Sequence, residues 1–436
     1  MTIAIPVRLM DAGRRSRLTA VVLLALAACA PPPATAPAPP PGPSAAERAA
    51  ARADSARARA RLDSIAAARA AAARAAVPVA RRSVRNDTLT VRTLHAPVRV
   101  CAGGDVTLGT NLDTAWARAA SLRMRKKFHR NDAPATLLAP LRPIVTGADI
   151  VLLNVESAIG KGRAPTKCGR NSANCFAFRS PPSSARALRA LAPRRVVVAN
   201  VANNHARDAG KPGHDSTVAV LERAGVLVTG DDTLATPVPT PAGDTIGVLG
   251  FYTSAETPDA RDTAAVFRHV ARAFERYPVV VATMHLGAEG RDAQRTVDSA
   301  ELYLGIDRGN PVAFADAAVR GGAALVVGHG PHVVRAMEWR ERGALIAYSL
   351  GNLLTYGPFV LKEPLNRGGV LCATLDPTGR VSHASLASTM QKAPGVLLKD
   401  LEARAAALAD SLGQLDFPAT GARIGSSGEL RPRGRR

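Results

Sequence analysis

Five short apolar runs in this chain each end on polar residues of the kinds that hold metal ions and move protons. Residues 98–101 lead into Gly104-Asp105, 149–153 into Asn154-Val155-Glu156 and 196–199 into Asn203-Asn204-His205. Residues 279–282 lead into His285, and 325–327 into Gly328-His329. Carboxylates, amides and imidazoles collected in this way make a set of metal ligands.

The elements that must position them follow from the runs. Short β-branched runs that stop at polar residues read as buried strands whose C-terminal ends open onto a site. In open α/β sheets, that edge is where ligands bind. Helical stretches are predicted between the runs, at 183–191, 216–224, 264–276 and 312–320. Alternating strand and helix predicts a layered α/β body over residues 97–398. A short helix at 399–412 and a disordered Gly/Ser/Arg tail to residue 436 are expected after it.

With 436 residues, 47% apolar and only 4% aromatic, the chain can bury one large core built mainly from Val, Ala and Leu. The net charge of +22 is unevenly spread: residues 1–82 carry 13 Arg against 4 acids, and residues 423–436 carry 5 Arg against 1 Glu. What remains on the body is modest. There is no aromatic-basic interleaving, so nucleic acid is not expected as a partner. A basic body does suit an anionic polymer or a phosphate group.

The N-terminus reads as a targeting segment. Arg14, Arg15 and Arg17 precede an apolar stretch at 18–28, far short of the roughly 20 residues of a spanning helix, so residues 1–28 are expected to be a signal peptide. Leu26-Ala27-Ala28-Cys29 resembles a bacterial lipobox, which makes Cys29 the expected lipidation site and the protein an exported, membrane-anchored lipoprotein facing the periplasm or cell surface. Ordinary cleavage at a nearby Ala-x-Ala is the plainer alternative. Residues 29–44 are expected to be a Pro/Ala linker and 45–82 an Ala/Arg helical stalk, with Ser44 and Glu47 spaced as in a capping box. Such a stalk is either a solvated spacer or a cationic contact for envelope polymer.

Cys168 and Cys175 lie seven apart in a Gly/Asn/Ser loop, and in an oxidising compartment a disulfide between them is expected. Cys101 and Cys372 sit in strand-like runs and read as buried small hydrophobes.

Six motifs in order resemble the signature of the CapA family, named for poly-γ-glutamate capsule synthesis and related to the calcineurin-like metallophosphoesterases. They are Gly104-Asp105-Val106-Thr107, Leu153-Asn154-Val155-Glu156, the 202–210 segment around Asn203-Asn204-His205, His285-Leu286-Gly287-Ala288-Glu289, Gly328-His329-Gly330-Pro331-His332-Val333 and Tyr348-Ser349-Leu350-Gly351-Asn352. The resemblance implies a four-layer α/β/β/α sandwich with a site between two packed sheets. It implies Asp105, Glu156 as bridging carboxylate, Asn204, His285, His329 and His332 as ligands of one or two divalent ions. That donor set suits Mn, Fe or Zn better than Ca. His205 would then be free to protonate a leaving group, with Asp208 orienting its ring.

Three positions depart from the phosphatase pattern: Thr107 stands where that pattern has His, Glu156 where it has Asp, and Pro331 lengthens the final His motif. Glu289, Ser349, Asn352 and Arg335 are candidate substrate contacts, Arg335 for an anion, although Asn352 could equally serve a turn. His95, His129, His214, His269 and His383 read as structural. Two functions follow as expectations. One is a metal-dependent hydrolase or transferase acting on an anionic polymer or phosphoester, alongside other capsule-system proteins. The other is a non-catalytic lipoprotein that binds or tethers envelope polymer.

Overall fold

The computed structural model of the chain describes residues 92–109, 114–160, 176–254 and 258–433. The signal segment, Cys29, the linker, the stalk and the Cys168/Cys175 pair lie outside the described residues.

The Val-rich runs form strands because their side chains are buried on both sheet faces, and the alternation along them sorts three cores. Val100, Ala102, Ile150, Leu152 and Val198 point one way and meet Val248, Val281, Leu325 and Val327 of a second sheet. Their neighbours Val151, Leu153, Val197 and Ala199 point the other way, onto Leu137, Leu188 and Leu221 of helices. In the second sheet Val280, Ala282, Met284 and Val326 face Val266, Val270 and Phe314 of other helices. A period of two along each strand therefore builds helix, sheet, sheet, helix. This is the four-layer α/β/β/α sandwich. At about 1.5–3 kcal/mol for each fully buried aliphatic side chain, these three cores are the main stabilising term.

The larger sheet places Val98–Thr107, Ile150–Val155, Val196–Asn200 and Leu227–Thr229 side by side and parallel. Its far half is antiparallel, through Arg367–Leu375 and Val381–Lys392. In the smaller sheet Thr245–Tyr252, Val280–His285, Ala323–His329 and Leu345–Ala347 run parallel. Register then aligns the polar strand ends. Asp105, Asn154 and Asn200 are direct neighbours across the first sheet, and Tyr252, His285 and His329 across the second.

The expected helices occur at Ser183–Arg189, Gly210–Arg223, Thr263–Phe274 and Pro311–Gly321. The second begins earlier than expected because Pro212 lies in its first turn, where a missing N–H costs nothing. Among the described residues no helix is long and apolar enough to cross a membrane.

Two expectations are corrected. The C-terminal segment is not a disordered tail through residue 433. Its helix is Arg404–Asp416, with Asp400 accepting from the Arg404 N–H, and Arg423–Ile424 and Glu429–Arg431 join the larger sheet. Leu430 and Ile424 are buried there, which supplies the apolar contact that the Arg-rich composition concealed. Cys101 and Cys372, read as buried small hydrophobes, are buried but face each other across antiparallel strands and form a disulfide.

Candidate metal centre

Two glycines explain how the strand ends come close enough to share a site. A Cβ on Gly104 would lie 1.9 Å from the Gly351 carbonyl oxygen, and one on Gly328 would lie 2.1 Å from that of Tyr348. Only glycine lets the 348–351 backbone cross both strands, where Asp105 N–H donates to Gly351 and Leu350 N–H to Gly328. A register shift between Gly103 and Asp105 re-aims the strand at the point where the carboxylate begins.

Asp105 and Glu156 are buried carboxylates, and with His332 they bring one ligand atom each to within 4.8 Å of one another. His332 Nδ1 lies 3.0 Å from Asp105 Oδ2, and its Nε2 is 3.7 Å from Glu156 Oε1. His285 Nε2 is also 3.7 Å from Glu156 Oε1, and His329 Nδ1 is 3.6 Å from Asp105 Oδ1. His332 sits at φ 60, a left-handed backbone that costs a residue with a Cβ about 1–2 kcal/mol. Its turn is therefore held in place by its surroundings.

Burial sets the protonation states. It pushes His285 well below the ordinary histidine value and His329 down to about 4, leaving both imidazoles neutral near pH 7. Burial works the same way on His332, but the Glu156 and Asp105 carboxylates outweigh it and raise the imidazole to about 10. Burial alone would raise Asp105, yet the hydrogen bond and charge of His332 hold it below the usual carboxylate range. Glu156 is pushed well above that range, chiefly by burial, with the charges of Asp105 and Glu289 adding to it.

The donor set fits a divalent metal. Glu156 Oε1, His285 Nε2 and both ring nitrogens of His329 are buried without a protein hydrogen-bond partner. Leaving such atoms unpaired costs about 1–3 kcal/mol each. A cation held by carboxylate and imidazole would satisfy them at once.

Around this cluster lies a supporting layer. Asn154, in a motif that reads as strand, donates to Asp105 Oδ1 at 2.8 Å and sits 3.1 Å from His285 Nδ1, while its own oxygen accepts from Asn200 and Asn203. Asn203 also accepts from the His205 N–H, which explains the Asn-Asn-His order. Asn204 is half-buried in the same turn, beside the His205 loop. His205 Nδ1 lies 2.7 Å from Asp208 Oδ2, and its Nε2 points to Glu156 Oε1 at 4.0 Å.

Glu156, His205, Glu289, His332 and Asn352 line one cavity of about 210 Å³. Glu289 is 3.7 Å from His332 and is paired with Arg308 at 2.8 Å. Asn352 also donates to the Leu365 carbonyl. Two proposed substrate contacts do not reach this cavity. Arg335 is buried and forks onto Glu301 at 2.8 and 2.7 Å, bracing the loop that carries Glu289. The Ser349 hydroxyl is buried and accepts from the Gly351 N–H. Spacing could not separate these from pocket residues, because both sit beside ligand motifs.

The sequence marked Asn154 as a polar strand end without giving it this supporting role, and it did not single out Arg308 or an aromatic wall of Phe176, Phe178 and Phe359. An amide inside an otherwise apolar, fully buried strand was the available signal for Asn154. The phenylalanines come from separate loops and leave no periodic pattern.

A search of curated proteins returns no match. Among solved structures, one similar chain is a Staphylococcus aureus protein assigned as a 5'-nucleotidase, in complex with alpha-ketoglutarate. It is 11% identical with a TM-score of 0.34, and the likeness covers 72% of this chain and 58% of that one. A family model described as bacterial capsule synthesis protein PGA_cap matches residues 99–356, from the strand that delivers Asp105 to the segment that carries Asn352. The match spans more than half of the chain and takes in every proposed metal ligand, so this protein belongs to the bacterial capsule synthesis family PGA_cap.

Proposed function

We propose that this protein is a metal-dependent hydrolase or transferase of capsule assembly, acting at the cell envelope on an anionic polymer of the poly-γ-glutamate type or on a phosphoester. The observation that carries the reading is the convergence of Asp105, Glu156 and His332 with buried, unpartnered nitrogens on His285 and His329. Asp105, Glu156, His285, His329 and His332 would hold one or two ions of Mn, Fe or Zn, with Asn204 as a further ligand in this reading. Such an ion supplies Lewis acidity and lowers the pKa of water.

The chain's own groups do the rest. Asp208 fixes the His205 ring through Nδ1, so Nε2 is presented toward Glu156 and can hold a proton at a leaving group. Phe178 packs on that ring at 4.4 Å between centroids and limits water on one side. Glu289 and Asn352 would orient the substrate.

Export with a lipid anchor at Cys29 belongs to the same reading. The Cys101–Cys372 disulfide favours an oxidising compartment, and the basic chain suits an anionic polymer as partner. One observation favours the non-catalytic alternative. Thr107, which replaces a ligand-type residue, donates to the Glu156 carbonyl at 3.2 Å and so serves the fold.

A panel of phosphoester and γ-glutamyl-amide substrates, assayed with Mn²⁺, Fe²⁺ or Zn²⁺, tests the reading. Turnover that disappears in His285→Ala and Asn204→Ala supports it. Polymer retention by metal-free protein with no turnover on any substrate supports tethering instead.

A further inference from the structure

The cavity at the histidine and carboxylate cluster has a mixed lining, with polar groups from Glu156, His205, Glu289, His332 and Asn352. Its apolar lining includes Phe176 and Phe178, which both pack on Phe359 at 5.5 and 5.1 Å between ring centroids, together with Leu361 and Leu365. Three phenylalanines gathered in this way make an apolar surface of the kind a flexible hydrocarbon chain can follow.

Phe176 and Val360, both on the cavity lining, remain 42% and 63% exposed. Tyr303 also lines the cavity, from the hairpin of Leu302–Tyr303 and Ile306–Asp307, whose Leu304 and Ile306 are 68% and 59% exposed. Leu304 sits at φ 50, so a bulky apolar side chain is held at a strained turn position where it adds nothing to a core. Large apolar side chains left exposed on the lining of a cavity, as Phe176 and Val360 are, mark a ligand site.

We propose that this cavity takes an amphiphile, whose anionic head lies at His332 in the metal cluster and whose hydrocarbon chain runs along Phe178, Phe359 and Leu365 toward the exposed Phe176 and Val360. This deepens the hydrolase reading and rests on it for the head group. The tail site rests on the apolar lining alone. The chain could be presented by a soluble amphiphile or by a lipid within a bilayer.

The test is calorimetric binding of a series of n-alkyl phosphates, butyl to dodecyl and below their micelle concentrations, to the full chain with and without Mn²⁺. Affinity is expected to rise about two- to fourfold per methylene over the first several carbons. Phe359→Ser and Val360→Ser should each flatten that rise. Val360 is mostly exposed, so its substitution leaves the core intact. Affinity independent of chain length, or a rise unchanged in both variants, overturns the proposal. A rise with chain length in protein that hydrolyses nothing keeps the tail site and refutes the hydrolase. Hydrolysis of short phosphoesters with no dependence on chain length does the reverse. Presenting dodecyl phosphate in phosphatidylcholine vesicles separates the sources: capture from vesicles and solution identifies a bilayer lipid, and capture from solution alone identifies a soluble amphiphile.

Discussion

Asn154 donates to Asp105 Oδ1 at 2.8 Å from the adjacent strand, and both side chains are buried. The pair is a direct consequence of register, since the two residues are neighbours across the parallel ladder. Asn154 therefore aims a metal-site carboxylate that it does not replace. Asn154→Ala is expected to cost about 1–3 kcal/mol of stability, because buried Asp105 loses a donor and the amides of Asn200 and Asn203 each lose one of two acceptors. It should also weaken metal binding by about 10–100-fold. Thermal unfolding and a metal titration read the two effects separately. Full metal affinity in the variant would show that Asp105 needs no such support.

The His205–Asp208 pair predicts a different pattern. Asp208 accepts from His205 Nδ1 and from the Phe178 N–H, so it sets both the ring and the wall beside it. Asp208→Asn should lower turnover by about 10²-fold or more while metal content is unchanged. A parallel loss of metal would move His205 from proton transfer to ligation.

Burial of neutral His329 links stability to pH. The unfolded histidine titrates near 6.5 and the folded one near 4, so the unfolded chain binds the extra proton between those values. Its contribution is fully present above about pH 6.5 and is lost as pH falls through the interval to about 4. The loss is on the order of 3 kcal/mol. In chelator-treated protein the urea midpoint should fall across that window, and His329→Gln should flatten the fall. A flat wild-type profile would mean that the imidazole is protonated in the fold.

The Cys101–Cys372 bridge closes a segment of 271 residues between adjacent strands. Cys101→Ala/Cys372→Ala is expected to lose about 2–5 kcal/mol, and reductant should lower the unfolding midpoint of the wild type but not of the variant. An equal response in both would place the cysteines apart in solution.

The parallel strands were legible because Val-Val-Val and Ile-Val-Leu-Leu runs are buried on both faces, and a polar stop marks each opening onto the site. The Gly-Asp and Gly-His steps were legible as motifs, although only the crossing of 348–351 shows why they need glycine. Less could be read from residues whose partners are distant in sequence. Arg335 looked free to bind an anion until Glu301 was brought beside it. Cys101 and Cys372 looked like packing residues until the antiparallel ladder paired them. The C-terminal strands were hidden for a related reason, since two short segments gain their apolar partners only from a sheet built by earlier residues. The phenylalanine wall likewise exists only once two loops meet.

Metal content is the most direct test of the central claim. The full chain would be incubated separately with Mn²⁺, Fe²⁺ and Zn²⁺, freed of unbound ion and measured by elemental analysis beside Asp105→Ala/His285→Ala. The account predicts that the wild type retains about one or two equivalents of at least one ion, as a site with open imidazole and carboxylate atoms should, and that the variant retains none. A wild type that holds none of the three would contradict it.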